Sequence, residues 1–155
     1  MNPLIAQLFR TTSQKVVKIS YQQLLKWAYF CRVQRRIIET KDGSKTIQLV
    51  EWDEQYHSVH GALQEARHVF IQHFKNEIGD RKEVSVFEMG FGTGLNALLT
   101  FQAAQELNIK VHYFSLEAYP VVNEEIDLLD YAELLNDTDG VWEEMMKSAW
   151  NEDVP

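Results

Sequence analysis

The stretch that most constrains this chain is Val84-Ser-Val-Phe-Glu-Met-Gly-Phe-Gly-Thr-Gly-Leu-Asn96. It opens on a short apolar run, Val84 to Phe87, of the kind that forms a buried strand. Glu88 follows, then three glycines at alternate positions, Gly90, Gly92 and Gly94. Leu95 to Leu107 continues at helical spacing, with Leu95, Leu98, Leu99, Ala103 and Leu107 expected to face inward, and Asn108 stops it. Strand, glycine turn and helix is the layout of a nucleotide-type cofactor site in an open α/β sheet. A turn without Cβ atoms lets a ligand approach the backbone closely. The helix behind it offers free backbone N–H groups.

A second apolar strand is expected from Val111 to Leu116, ending at Glu117. An acid at the end of the second strand accepts hydrogen bonds from the ribose hydroxyls of a nucleotide cofactor, about 20 residues beyond the turn. Glu117 stands at that distance from Gly94; the alternative is a strand-end acid facing water. The glycine spacing is not the G-x-G-x-x-G of dinucleotide folds.

The 155 residues suffice for one domain with a sizeable core. No apolar run approaches the ~20 residues of a membrane span, and Met1 to Arg10 lacks the basic start and cleavage site of a secretory signal. The single cysteine, Cys31, forms no internal disulfide, which fits a reducing cytoplasm. The net charge of −8 hides an asymmetry: residues 1–40 carry seven basic residues against Glu39, and the remainder eight basic against 22 acidic. Such an acidic body argues against a broad non-specific grip on nucleic acid.

In chain order, 21–33 reads as a helix. Arg36 to Val50 reads as a β-hairpin turning at Asp42-Gly43, where glycine tolerates the positive φ of a tight turn. Ser58 is a candidate cap for an amphipathic helix over Gly61–Phe74 that buries Leu63, Ala66, Val69/Phe70 and Phe74. Asn76 to Lys82 is a polar turn. Beyond Pro120, Asn123 can cap a helix with Glu124 and Glu125 in its first turn and Ile126, Leu129, Ala132 and Leu135 inward. A last helix has Trp142, Met145, Met146, Ala149 and Trp150 on its apolar face, a core or covering helix in preference to a base-stacking surface. His57, His60, His68 and His73 follow no metal-ligand spacing, so surface or packing roles are expected of them, and no metal site is assigned.

Glu88-x-Gly90-x-Gly92-x-Gly94 resembles the first motif of S-adenosylmethionine-dependent methyltransferases with a Rossmann-like fold. That cofactor has no pyrophosphate. It carries a cationic sulfonium and an amino-acid tail, and a carboxylate such as Glu88 suits that charge; Glu88 equally suits orienting the loop by accepting backbone N–H bonds. The wider run Glu88-Met-Gly-Phe-Gly-Thr-Gly-Leu-Asn96 is similar to the E-x-GFGTGLN block of the MnmC-like tRNA methyltransferases, whose single-domain form is called MnmD. Tyr56-His-Ser-Val-His-Gly-Ala-Leu-Gln-Glu-Ala-Arg-His-Val-Phe70 resembles the family's Y-x-S…G-x-x-E-x-x-x-V-F block, and Ser115-Leu-Glu-Ala-Tyr-Pro120 its S-x-E-x-x-P segment. The resemblance covers about residues 35–150.

It implies an α/β, Rossmann-like class I S-adenosylmethionine-dependent methyltransferase fold with an N-terminal β-hairpin and helical extension. It divides the chain into an unassigned extension at 1–34 and a methyltransferase domain at 35–155. The implied activity is cytoplasmic methylation of the 5-aminomethyl-2-thiouridine wobble base of tRNA. The implied cofactor residues are Tyr56, Ser58, Glu65, Glu88, Gly90, Gly92, Thr93, Gly94, Asn96 and Glu117, with Asn96 open to a plain first-turn helix role. The family's Asp-Ala-Phe-x-Pro-like motif, thought to hold the substrate amine, has no counterpart here. The fold is therefore expected to be C-terminally incomplete, with no catalytic residue assigned. The alternatives are a catalytically inactive remnant or binding module and, more weakly, an oxidoreductase acting on CH–NH donors.

Overall fold

The computed structural model describes residues 34–150. The helix expected over 21–33 lies outside the described residues. The hairpin is present as β1 (Arg35–Glu39) and β2 (Lys45–Leu49), antiparallel, with Ile37 opposite Ile47. A short β3 (Glu54–Gln55) adds to the other edge of β2. Thr46, Ile47 and Gln48 are all buried, so β2 is covered on both faces rather than alternating. The Asp42 carboxylate accepts from Thr40, from Ser44 and from the Gln64 N–H, which ties the turn to the helix that follows. Burial works against the Asp42 charge, but these hydrogen bonds outweigh it and hold the carboxyl down at about 2.

The next helix is continuous but not uniform: α1 (Ala62–Glu65), a π-helical turn (Ala66–Ile71) and α2 (Gln72–Ile78). Its buried residues include Ala62, Ala66, Ile71 and Ile78. Ala66 and Ile71 stand five apart, and only the wider π turn lets both face inward. Val69, expected on the buried stripe, is 58% exposed for that reason. The helix also runs further than expected, to Ile78. Ser58 does not cap it: Gly61 precedes α1, and the Ser58 hydroxyl accepts instead from the His60 N–H.

Then come β4 (Glu83–Met89), α3 (Leu95–Leu107) and β5 (Lys110–Leu116). β4 and β5 pair in parallel, with Phe87 opposite Phe114 and Met89 opposite Leu116. Along α3, Leu95, Leu98, Leu99 and Ala103 are buried as expected, while Leu107 is partly exposed. The single helix expected from Asn123 is two short ones, α4 (Asn123–Ile126) and α5 (Tyr131–Leu134); the buried set Ile126, Leu129 and Leu135 survives and Tyr131 joins it. The last helix is α6 (Val141–Lys147). Trp142 is buried in it, whereas Ala149 and Trp150 fall beyond its end and are exposed.

The buried core runs from Ile47 through Ala62, Ala66 and Ile71 to α3, then to Ile126, Tyr131 and Trp142. No residue of β4 or β5 belongs to it. One face of the pair is bare: Phe87 is 63% exposed, Met89 75%, Phe114 58% and Leu116 56%. The two strands were expected to be buried. Parallel sheets hold their apolar residues by being covered on both faces, and among the described residues nothing covers this one.

Candidate functional site

The glycine turn begins where β4 ends. Gly90 donates to the Leu116 carbonyl at 2.8 Å, which carries the pairing one residue past β4 and fixes the entry to the turn. Gly94 closes it with a bond to the Phe91 carbonyl, and Leu98 then donates to Gly94 to start the helix. All three glycines have positive φ, but two of them stand in opposite surroundings. At Gly94 an added Cβ would lie 2.7 Å from Met146 Sδ and 3.3 Å from the Phe91 ring. At Gly90 it would meet nothing within 4 Å. The Gly94 side of the turn is packed under α6, and the Gly90 side is open to a ligand.

Glu117 reaches this turn. Its carboxylate accepts from the Gly92 N–H at 2.9 Å and from the Tyr119 N–H at 2.8 Å. Tyr56 lies against Gly92, its Cδ2 3.2 Å from where a Cβ would sit, with the Arg35 guanidinium 5.9 Å from its ring centroid. Burial raises the Tyr56 phenol; Arg35 opposes the rise, and Glu117 and Glu125 add to it. Arg35 is itself held by the Tyr119 and Pro120 carbonyls and by Glu125. The hairpin is thereby anchored to the segment that follows Glu117.

Glu88 is buried at 9% exposure. It accepts from the Asn96 side-chain amide and the Ser115 hydroxyl, both at 3.1 Å. Burial pushes its carboxyl up; the bonds from Asn96 and Ser115 offset part of this, and the Glu117 charge adds to it. Of its two expected roles, the loop-orienting one has bonds here, although the donors are side chains and not backbone N–H groups. Asn96 is committed to Glu88. The nearby Tyr113 hydroxyl is buried against Glu88; burial, then the Glu88 charge and its contact with the hydroxyl, raise the phenol above the usual range.

Tyr56, Glu88, Gly90, Gly92, Thr93, Gly94, Asn96 and Glu117 are therefore drawn together. Ser58 and Glu65 are joined to each other, Ser58 N–H to Glu65 Oε2 at 2.7 Å, and their link to the turn runs through the intervening His57, which reaches Thr93. Among the described residues no cluster of three or more His, Cys, Asp or Glu side chains is arranged to hold a metal, and no helix is long and apolar enough to cross a membrane. A groove of about 850 Å³ lies elsewhere, lined by residues such as Arg67, His68, Lys75 and Gln102. None of the turn residues line it, so its size does not make it the cofactor site.

Sequence reasoning missed Arg35, His57, Tyr131 and Trp142. Arg35 contacts residues 84 to 90 positions away, and His57 a residue 36 positions away. No spacing rule connects such pairs.

No family model matches the chain. Over 85 residues it is 34% identical to the tRNA 5-methylaminomethyl-2-thiouridine biosynthesis bifunctional protein MnmC of Leptospira interrogans, a match covering 49% of this chain and 13% of that protein. The protein of the same name from Pseudomonas fluorescens is 36% identical over 80 residues, covering 45% of this chain and 12% of the relative. A crystal structure of MnmC2 from Aquifex aeolicus superposes with a TM-score of 0.50 at 23% identity, covering 87% of this chain and 48% of that one. The chain thus spans about an eighth of the length of these curated relatives and about half of the solved chain. It resembles the MnmC proteins in sequence over about half its own length, and it shares its mixed α/β fold with MnmC2.

Proposed function

We propose that this chain is the S-adenosylmethionine-binding portion of a cytoplasmic enzyme that methylates the 5-aminomethyl-2-thiouridine wobble base of tRNA, on a class I methyltransferase fold. The observation that carries the reading is the bond from Gly92 N–H to the Glu117 carboxylate. It sets the second-strand acid against the glycine turn, beside the open side at Gly90. The tRNA substrate is carried over from the name of the curated relatives.

The residues present fit such a cofactor. At Gly90 the space where a Cβ would stand is open, so a ligand can reach the backbone there. Glu117, at the end of the second strand and against the turn, would accept from ribose hydroxyls, and the Glu88 carboxyl would suit the cofactor's cationic charge. When bound, the cofactor supplies a methyl group on a cationic sulfur for displacement by a neutral amine. The chain's own residues bind and orient: Glu117 holds the turn, Glu88 fixes Asn96 at the start of α3, and Tyr56 shields Gly92 from water. Positioning and exclusion of water carry most of the effect in such a displacement.

Calorimetry of the full 155-residue chain with S-adenosylhomocysteine tests the reading. Binding is expected, and Gly90→Val, which both occupies the open side and strains the turn at its positive φ, should weaken it at least ~10-fold, the equivalent of ~1.4 kcal/mol. No binding by the unmodified chain would refute the proposal. A second reading, a catalytically inactive remnant or binding module, draws on the bare apolar face of β4 and β5. Transfer of labelled methyl groups to undermodified tRNA by this chain alone would exclude it.

A further inference from the structure

The buried Thr93 is the point at which three separate parts of the chain meet the glycine turn. Its side chain is fully buried. His57 Nε2 lies 3.1 Å from its hydroxyl. The Trp142 indole N–H from α6 donates to its carbonyl at 3.0 Å. The Tyr131 phenol from α5 lies against the same hydroxyl and donates to the Lys45 carbonyl of β2. His57 is in turn fixed by its own backbone, whose N–H donates to the Thr46 hydroxyl at 3.0 Å.

We propose that His57 is a positioning residue: its neutral ring sets the Thr93 hydroxyl, and through it the glycine turn, so that protonating His57 loosens the turn. The geometry makes this a specific role. A packing histidine would touch apolar neighbours, whereas this ring nitrogen meets a turn residue's hydroxyl inside the fold. Among the described residues no carboxylate is hydrogen-bonded to the ring to welcome a second proton. Among the described residues the charged group facing it is Glu65, and that carboxylate already accepts from the Ser58 N–H. The other elements packed around it present the neutral Thr46 and Thr93; Asp42 and Asp130 act on the neighbouring Tyr131.

Burial lowers the imidazole from its ordinary value and Glu65 only partly restores it. The sign follows from linkage. The native state binds this proton less readily than the unfolded or locally opened state, so opening becomes easier as pH falls below the free-imidazole value of ~6.5, by up to ~10-fold per pH unit. Above that value the ring is neutral in both states and pH has no effect through this residue.

Amide hydrogen exchange across the glycine turn, corrected for intrinsic rates, reads the opening directly and needs no cofactor. In the unmodified chain, opening of the turn should increase ~3- to 10-fold between pH 7 and pH 5.5. In His57→Gln, which keeps a neutral amide in reach of Thr93, the response should flatten while protection at pH 7 is retained. Because this variant is able to fail by misfolding, titration of the His57 ring proton by NMR in the unmodified chain is the second measurement, and a midpoint below that of a free histidine is expected. An ordinary midpoint, a pH-independent turn, or an unchanged response in His57→Gln overturns the proposal. S-adenosylhomocysteine affinity over the same pH range separates this inference from the cofactor reading. A turn that loosens with acid in a chain that binds no cofactor sinks the proposed function and leaves His57 standing.

Discussion

The hairpin and the parallel pair invert the usual rule of burial. β2 and its turn bury polar side chains: Ser44 and Thr46 are at 0% exposure, Thr40 at 5% and Gln48 at 7%. The parallel pair leaves Phe87, Met89, Phe114 and Leu116 bare. The difference lies in what each region is given to touch. Each buried hairpin group has a partner: Thr46 takes the His57 N–H, Gln48 bonds Arg36 and Asp53, and Thr40 and Ser44 share Asp42. Buried polar groups are tolerated when bonded. The strands of the pair bond each other along one edge, and among the described residues no layer covers their second face. Side-chain type did not decide burial here; the presence of a covering element did.

Three substitutions press on that contrast. The largest effect is expected at Ile47, fully buried in β2 and part of the core. Ile47→Ala should lower stability by ~2–5 kcal/mol in urea unfolding, through lost burial and a residual cavity. A loss below ~1 kcal/mol would mean that the hairpin is a passenger. Thr46→Val keeps the shape and removes the acceptor for the His57 N–H. It should cost about 1–3 kcal/mol, because an amide is left without a partner. A neutral result would show that water already serves that amide. The smallest effect is expected on the bare face: Phe87→Ser should change stability by no more than ~0.5 kcal/mol. A larger loss would reveal a cover on this face and erase the distinction between the regions.

The site was legible where chemistry is local. The alternate glycines and Glu117 announce their relation because a parallel strand pair brings the end of one strand beside the turn after the other. The hairpin was legible at Asp42-Gly43, where glycine takes φ +83°. What could not be read depends on partners far away in the chain. Nothing in Tyr56-His57-Ser58 says that the ring will find Thr93, and nothing in the last helix says that the Trp142 indole will hold the turn's carbonyl. Phe87 was misjudged because a continuous apolar run states an appetite for cover without showing that cover exists. Val69 was misjudged because the helical period was assumed constant.

That last point reaches beyond burial. The turn from Ala66 to Ile71 behaves as a helix carrying one supernumerary residue. Strike out Val69, and the buried positions Ala62, Ala66, Ile71 and Ile78, with the half-buried Phe74, fall at steps of four, four, three and four, the rhythm of an unbroken α-helix. In genetic terms, loss of that codon is the in-frame deletion this helix is built to absorb. Elsewhere along it, removing one residue would turn everything downstream by about 100° and carry the buried stripe out of the core.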